Sequence, residues 1–303
     1  MSKKLVSLFL ALLMVFGTAS VLAEDTGITV KDMFDREITL AEPATRIVVM
    51  QPSDCEILCA LGCENAIVGR GQYVDYPASI LDVPVVQSGA ETNVEEILKL
   101  EPQVVLLNSM SQSEEQVQQL EDNGVKVVVS TTSNIESVFT AITLIGKLMG
   151  KDAEAEAVIA DIQATFDEIK AKVSGEAKKV YFEISPPPYL YTAGSSSYLS
   201  ELCDICGVEN IFGDQEDAWL MVSEEQVIER NPEYIVLITN MGSAGVEEIL
   251  GREGWGDLKA VKDGTILNAE SNAISRPGPR LKDAAIELYN FINGIEAEEA
   301  PAA

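Results

Sequence analysis

NVEEILKLEPQVVLL (residues 93–107) and SEEQVIERNPEYIVL (residues 223–237) carry one local design at a spacing of 130 residues. Laid over each other without a gap, Asn93 falls on Ser223, Glu95 on Glu225, Glu96 on Gln226, Ile97 on Val227 and Pro102 on Pro232. Each stretch reads as a helix start, a short helix, a proline stop and a buried strand. Asn93 with Glu96 and Ser223 with Gln226 both fit the capping box, in which the cap side chain takes the N3 amide and the N3 side chain reaches back. Glu95 and Glu225 then share the N2 position of two equivalent helices, where a carboxylate suits the helix dipole. Either copy alone is simply a good helix start; the matching registers point to a doubled α/β lobe that presents one carboxylate per lobe.

Residues 1–23 form a secretory signal: Lys3 and Lys4, an apolar run from Leu5 to Phe16, and Val21-Leu22-Ala23 as a small-residue cleavage site before Glu24. The apolar run is short for a membrane span. No cysteine lies near the cleavage point, so a lipid-anchoring cysteine is not expected, and cleavage after Ala23 gives a soluble, exported, periplasmic protein without a direct membrane anchor. Cleavage removes two lysines and no acid, taking the formal charge from -28 to -30. Such a surface repels phosphate backbones and anionic lipid, which disfavours nucleic acid and calls for basic partners. With 47% hydrophobic residues the mature chain can bury two real cores. The sequence has no histidine. That excludes Ser-His-Asp and Cys-His catalysis, His-ligated zinc and a histidine axial ligand to haem, and it weakens any enzyme reading.

ITVKDMFDREITL from Ile28 reads as a hairpin turning at Phe34-Asp35-Arg36. Then strands and helices alternate: RIVVM from Arg46, a helix from about Asp54 to Leu61, AIVG from Ala66, PVVQ from Pro84, the first repeat copy, and VKVVVS from Val125. Apolar β-branched runs separated by helices predict a parallel sheet covered on both faces. This is an N-terminal lobe, residues 24–150. A connecting helix follows over 151–174, after an interruption at Gly150-Lys151-Asp152; its 22 residues from Asp152 would span about 33 Å and act as a stiff spine. The C-terminal lobe, 175–294, runs from KKVYFEI through YLYTAG and the second repeat copy to the helix after Pro279. The tail 295–303 is acidic, small and expected to be disordered.

In this order and spacing, RIVVMQPSDCEILCALG, GQYVDYP (71–77), the two repeat copies, YTAGSSSYLSELCDICGVENIF and SRPGPRLKDAAIEL (from Ser275) resemble the substrate-binding proteins of bacterial ABC importers, in the helical-backbone group that serves iron-siderophore, cobalamin and haem uptake. The resemblance covers nearly the whole mature chain. It implies an α/β fold of two Rossmann-like lobes with parallel sheets, joined by a single long backbone helix, with ligand held between the lobes. It also implies that one glutamate per lobe, aligned here with Glu95 and Glu225, docks on arginines of a permease with a basic periplasmic face. Exposed carboxylates at helix starts suit charge-assisted bonds to arginine. A monomer is expected, with no cofactor of its own, no metal site and no catalytic residue.

Ligands in open α/β sheets sit beyond the carboxyl ends of strands. That rule nominates Gln51 and Ser53, Asn108 with its neighbours to Met110, and Asn240 within Thr239 to Met241. Loops add Tyr73, Tyr76, Tyr189, Trp219 and Arg276, aromatic and polar groups that suit a metal chelate or corrinoid. Each aromatic has packing as its plainer role, with Tyr73 and Trp219 favoured as ligand contacts. Arg276 either meets an anionic chelate or makes a structural ion pair; for Arg280 the ion pair is expected. Cys55, Cys59 and Cys63 form one helical stripe about 12 Å long, which cannot ligate one metal and reads as buried apolar surface. Cys203 and Cys206 form a C-x-x-C in a helical pattern.

The leading function is therefore delivery of an iron-siderophore or corrinoid complex to a permease. Haem, or a metal oxyanion such as molybdate, are alternative cargoes, and an exported thiol-dependent enzyme using the C-x-x-C is the alternative of a different class.

Overall fold

Alternating apolar runs and helices build two parallel sheets in the computed structural model, which describes residues 27–88, 92–108, 113–238 and 244–295. The signal segment, most of the acidic tail, Ser109 and Met110, and the Thr239–Met241 stretch with Asn240 lie outside the described residues. In the N-terminal half, strands β1 (Ile28–Lys31) and β2 (Glu37–Leu40) form the expected antiparallel hairpin. Then come β3 (Ile47–Val49), α1 (Pro52–Ala60), β4 (Ile67–Gly71), β5 (Val85–Val86), α2 (Val94–Lys99), β6 (Val104–Leu107), α3 (Glu114–Asp122), β7 (Lys126–Val129) and α4 (Ile135–Leu148). The long helix α5 (Asp152–Lys172) follows, set off from α4 by Gly150, whose φ of 63° closes the helix in the left-handed region that glycine adopts without penalty.

The C-terminal half contains β8 (Lys179–Glu183), β9 (Tyr191–Ala193), α6 (Tyr198–Cys206), β10 (Glu209–Asn210), β11 (Trp219–Met221), α7 (Glu224–Arg230) and β12 (Tyr234–Leu237). It ends with α8 (Ala244–Gly251), α9 (Lys259–Asp263), β13 (Ile266–Asn268), α10 (Ser271–Ile274) and α11 (Leu281–Asn293). No helix among the described residues is long and apolar enough to cross a membrane.

The first sheet has the order β5-β4-β3-β6-β7 and the second β10-β8-β12-β13, with every pairing parallel. In each, the chain starts at an inner strand, works outward to one side and then jumps to the other. The reversal falls between β3 and β6 in the first sheet and between β8 and β12 in the second. Such a switch point opens a crevice at the strands' carboxyl ends.

The sequence repeat is also a structural one. Asn93 and Ser223 cap α2 and α7 by accepting the N3 amide, although only the Ser223 copy closes the reciprocal bond as well. The glutamate at Glu96 thus forms half of the expected box, whereas the amide of Gln226 completes it. Glu101 and Asn231, each just before the proline, take the same left-handed backbone, with φ of 47° and 46°. That conformation stops both helices and turns the chain into β6 and β12.

Alternation along the strands divides the interior. Ile47, Val49, Val104 and Leu106 of the first sheet and Val180, Phe182 and Val236 of the second all belong to one continuous core. Ile162, Phe166 and Ile169 of α5 enter the same core, beside α4, α6 and α11. The opposite faces make separate cores, with Val48, Val105 and Val127 in one and Tyr181, Ile235 and Trp255 in the other. The long helix is therefore a wall of a shared interior and not a free strut.

Phe166→Ala should cost about 3 kcal/mol or more and should act on both halves together. Unfolding followed by Trp255 fluorescence and by far-ultraviolet circular dichroism is expected to give one shared midpoint, displaced in the variant. Two separate midpoints would mean that the halves unfold independently.

Candidate functional site

The two switch points meet in a cleft of about 420 Å³. Gln51 follows β3 and Asn108 follows β6; Ile184 follows β8 and Ile238 follows β12; all four line it. Gln51 is also the N-cap of α1, yet its side chain makes no cap bond, and Pro52 at the first helical position needs no amide partner. Ser53, in the first turn, is buried against the same space. Thr131, Thr132 and Ser133, just beyond β7, complete the polar side. The Thr131 hydroxyl is buried without a hydrogen-bond partner, so it is available to a ligand.

Tyr198 and Trp219 form the aromatic wall, edge to face with ring centroids 5.6 Å apart. Tyr198 is fixed by donating its hydroxyl to the Ile274 carbonyl at 2.9 Å, and its amide donates to Ser133 O at 2.8 Å across to the other lobe. Trp219 sits on β11, paired antiparallel with Ala193 of β9, and remains 41% exposed. The loop that delivers it crosses Gly194 so closely that a Cβ there would lie 2.1 Å from Asp217 O and 2.7 Å from Gln215 O. Only glycine allows that approach, which gives YTAGSSS its physical meaning.

Ser275, Arg276 and Pro277 close the third side. Arg276 Nη1 donates to Asp75 Oδ1 at 2.6 Å, and Arg280 holds the buried Glu56 carboxylate through Nε at 2.9 Å and Nη2 at 2.7 Å. These contacts tie α1 and the 71–77 loop of the first lobe to the last turn of the second. Burial raises the Glu56 pKa despite the opposing pull of Arg280. The Arg280 guanidinium also lies 3.7 Å from the Tyr76 ring centroid.

Of the residues nominated from sequence, Gln51, Ser53, Asn108, Trp219 and Arg276 come together in this cleft. Tyr73 stands at its edge, 68% exposed, with only its carbonyl near Arg276, at 3.5 Å. Tyr189 is 69% exposed and is not among the cleft residues. Asn240 is outside the described residues. Thr131, Ile184, Tyr198 and Ile238 were not nominated; the carboxyl-end rule, applied to VKVVVS and KVYFEI as well, finds the first two.

Glu95 and Glu225 occupy N2 of α2 and α7 and are both exposed. At Glu225 its own backbone amide, then Ser223, hold the carboxyl below its ordinary pKa. The cysteines are largely withdrawn from solvent. Cys55 and Cys63 are buried and Cys59 partly so, as the apolar-stripe reading expects. Cys203 and Cys206 are both buried in α6; burial drives the Cys203 pKa far up and that of Cys206 to about 12. Thiols held protonated in this way are poor nucleophiles. Among the described residues no cluster of cysteine and carboxylate groups could hold a metal ion.

Beside the cleft, Asp54 is fully buried, and its two carboxyl oxygens lie 2.7 and 2.8 Å from Ser130 Oγ. One hydroxyl proton shared between both oxygens would make only a weaker, bifurcated bond. A proton on the carboxyl resolves the geometry, and burial raises the Asp54 pKa to about 7 against the smaller lowering effect of Ser130.

A family model described as periplasmic binding protein matches residues 47–273. An uncharacterized ABC transporter substrate-binding lipoprotein of Bacillus subtilis (strain 168) is 29% identical over 272 residues, 88% of this chain and 85% of that protein. A vitamin B12-binding protein of Salmonella typhi is 30% identical over 254 residues, 83% of this chain and 91% of its own. Among solved structures, a possible iron-binding (periplasmic solute-binding) protein of Staphylococcus epidermidis superposes with a TM-score of 0.71 at 28% identity, over 83% of this chain and 99% of that one. The first cysteine of the present sequence is Cys55, inside α1.

Because the folded Asp54 pKa lies above its ordinary value of 3.8, the folded state keeps a proton that the unfolded chain releases. Stability from this group is complete below about pH 4 and is lost as pH rises through about 7, a change on the order of 4 kcal/mol. In urea denaturation at a series of pH values, Asp54→Asn should flatten that part of the decline and exceed the wild type at pH 8. Parallel curves for the two proteins would refute the buried-acid assignment.

Proposed function

The chain belongs to the periplasmic binding protein family, and from that membership we propose that it is the substrate-binding component of an ABC importer, capturing an iron-siderophore or corrinoid complex between its lobes. The observation that carries the reading is the meeting of two sheet switch points in one cleft, with polar groups from the first lobe opposed by Trp219 and Tyr198 of the second. A mostly apolar cavity with a few placed polar groups is the usual form of a small-molecule site. The likeness to a vitamin B12-binding protein and to a possible iron-binding protein supports that class of cargo.

Delivery runs through Glu95 and Glu225, one exposed carboxylate at the same helix position in each half. Two such points on a rigid body can engage a pair of arginine clusters at once. The acidic body speeds encounter with a basic permease face. The protein works outside the cytoplasm as a monomer and is not an enzyme. Support for the last point comes from the absence of histidine and the buried, protonated state of the C-x-x-C thiols.

Intrinsic fluorescence offers a direct test, because Trp255 is fully buried and Trp219 stands in the cleft. Titration with cyanocobalamin, ferric siderophores and haemin, corrected for ligand absorbance, should show saturable quenching by one class at micromolar affinity or better. Trp219→Ala should remove most of the quenching and weaken binding about tenfold or more, within the range of an aromatic anchor. The double variant Glu95→Ala with Glu225→Ala should bind as the wild type does while permease-dependent uptake fails. Uptake that survives the double variant would rule out the docking role, and failure of every ligand to bind would rule out the cargo class.

A further inference from the structure

The cleft carries a single charged side chain among its described residues, Arg276, in a protein whose formal charge is -28. The other described residues that line it carry hydroxyl, amide, aliphatic or aromatic side chains. The one cation, moreover, already has a partner.

Arg276 is held by Asp75 at 2.6 Å, with Glu56 Oε1 a further 3.9 Å from the same guanidinium nitrogen. Glu56 is in turn gripped by Arg280, which also reaches Glu270 at 3.2 Å. The connected group therefore holds three carboxylates, those of Asp75, Glu56 and Glu270, against two guanidiniums. It presents no surplus of positive charge to the cleft. Asp75 is the outermost member, its side chain 55% exposed while that of Arg276 is 15% exposed.

Resting on the importer reading, we propose that Asp75 is a resident anion that sets the charge class of the cargo: the cleft selects complexes with no net charge and rejects polyanionic ones. An uncharged complex gains hydrogen bonds from the hydroxyl and amide groups and stacking from Trp219 without disturbing the ion network. An anionic complex must either displace Asp75 from Arg276, with Glu56 still 3.9 Å from the same guanidinium nitrogen, or enter without a cation. Both routes cost affinity, the first through loss of a partly exposed ion pair and repulsion by the carboxylates that stay nearby, the second through desolvation. The acidic body adds repulsion at longer range, which salt screens. The same logic places uncharged ferric trihydroxamates and corrinoids ahead of ferric tris-catecholates, haem with its two propionates, and molybdate. Selection by an opposing charge is as effective as selection by an added contact.

Equilibrium binding of three probes decides the matter: ferrichrome, an uncharged ferric trihydroxamate; cyanocobalamin, an uncharged corrinoid; and ferric enterobactin, a trianionic ferric tris-catecholate. The full-length mature protein is compared with Asp75→Asn and with Asp75→Asn combined with Arg276→Gln. The expected result is that at least one uncharged probe binds the wild type more than tenfold tighter than the trianion. Asp75→Asn, which frees Arg276 with little change of shape, should tighten the trianion about tenfold without tightening the uncharged probe. The double variant should lose that gain. Preference of the wild type for the trianion, or an Asp75→Asn protein whose selectivity is unmoved, overturns the charge rule while leaving the importer reading in place. Binding of no probe at all overturns the charge rule together with the cargo class on which it rests. Circular dichroism of each variant confirms that a lost interaction is not lost folding.

Discussion

One apolar interior shared by two sheets is the constraint from which the rest of this structure follows. Because Val49 and Leu106 on one side and Phe182 and Val236 on the other face the same core as Phe166 of α5, neither lobe can swing without exposing the residues that both bury. Opening the halves by a hinge at α5 would return a large part of that surface to water at roughly 25 cal/mol per Å². Large closure about the ligand is correspondingly disfavoured. The cleft has to be largely complete before a ligand arrives, and its selectivity has to reside in groups already in place.

Polar contacts reinforce that geometry at the cleft itself. The Glu56–Arg280 pair, bidentate and largely withdrawn from water, joins the first helix of one lobe to the entry of the last helix of the other. A pair of this kind adds little net stability over an apolar replacement, but removing one partner leaves a buried charge and is severe. Its contribution is registry: it fixes which turn of α11 meets α1, and so where Arg276 stands. The Ser133 to Tyr198 backbone bond and the capping of α4 by Glu201, which accepts the Ile135 amide at 2.6 Å, do the same on the opposite side. Both contacts cross from the end of the first sheet to α6.

Much of this was legible in the sequence because it is local or periodic. The duplicated helix–proline–strand unit, the parallel strands, the break at Gly150 and the apolar cysteine stripe all depend on residues close in the chain. Gln51, Ser53 and Asn108 followed from the rule that ligands lie beyond strand ends, and Trp219 from its position between motif segments. The same rule reaches Thr131 and Ile184, which also follow apolar strands and line the cleft. Tyr73 and Tyr189 drew notice as aromatics in polar loops, yet residue type carries no direction, and both rings stand largely in solvent. Arg276 was legible as a candidate, but its engagement with Asp75 spans 201 residues of sequence. No local pattern encodes such a contact.

That distant contact is also where the rigid frame and the chemistry of the site converge. In a protein that closed widely on its ligand, Arg276 could be unpaired in the open state and recruited during closure, and its static partner would say little about selectivity. Here the shared core holds both lobes near one arrangement, so the Asp75 carboxylate and the Arg276 guanidinium meet as a standing feature of the surface. A ligand then encounters a neutralised wall rather than a waiting cation. On the proposed reading the strongly acidic body and the neutralised cleft act in the same direction: the first repels anions at long range, and the second offers them no unpaired cation on arrival.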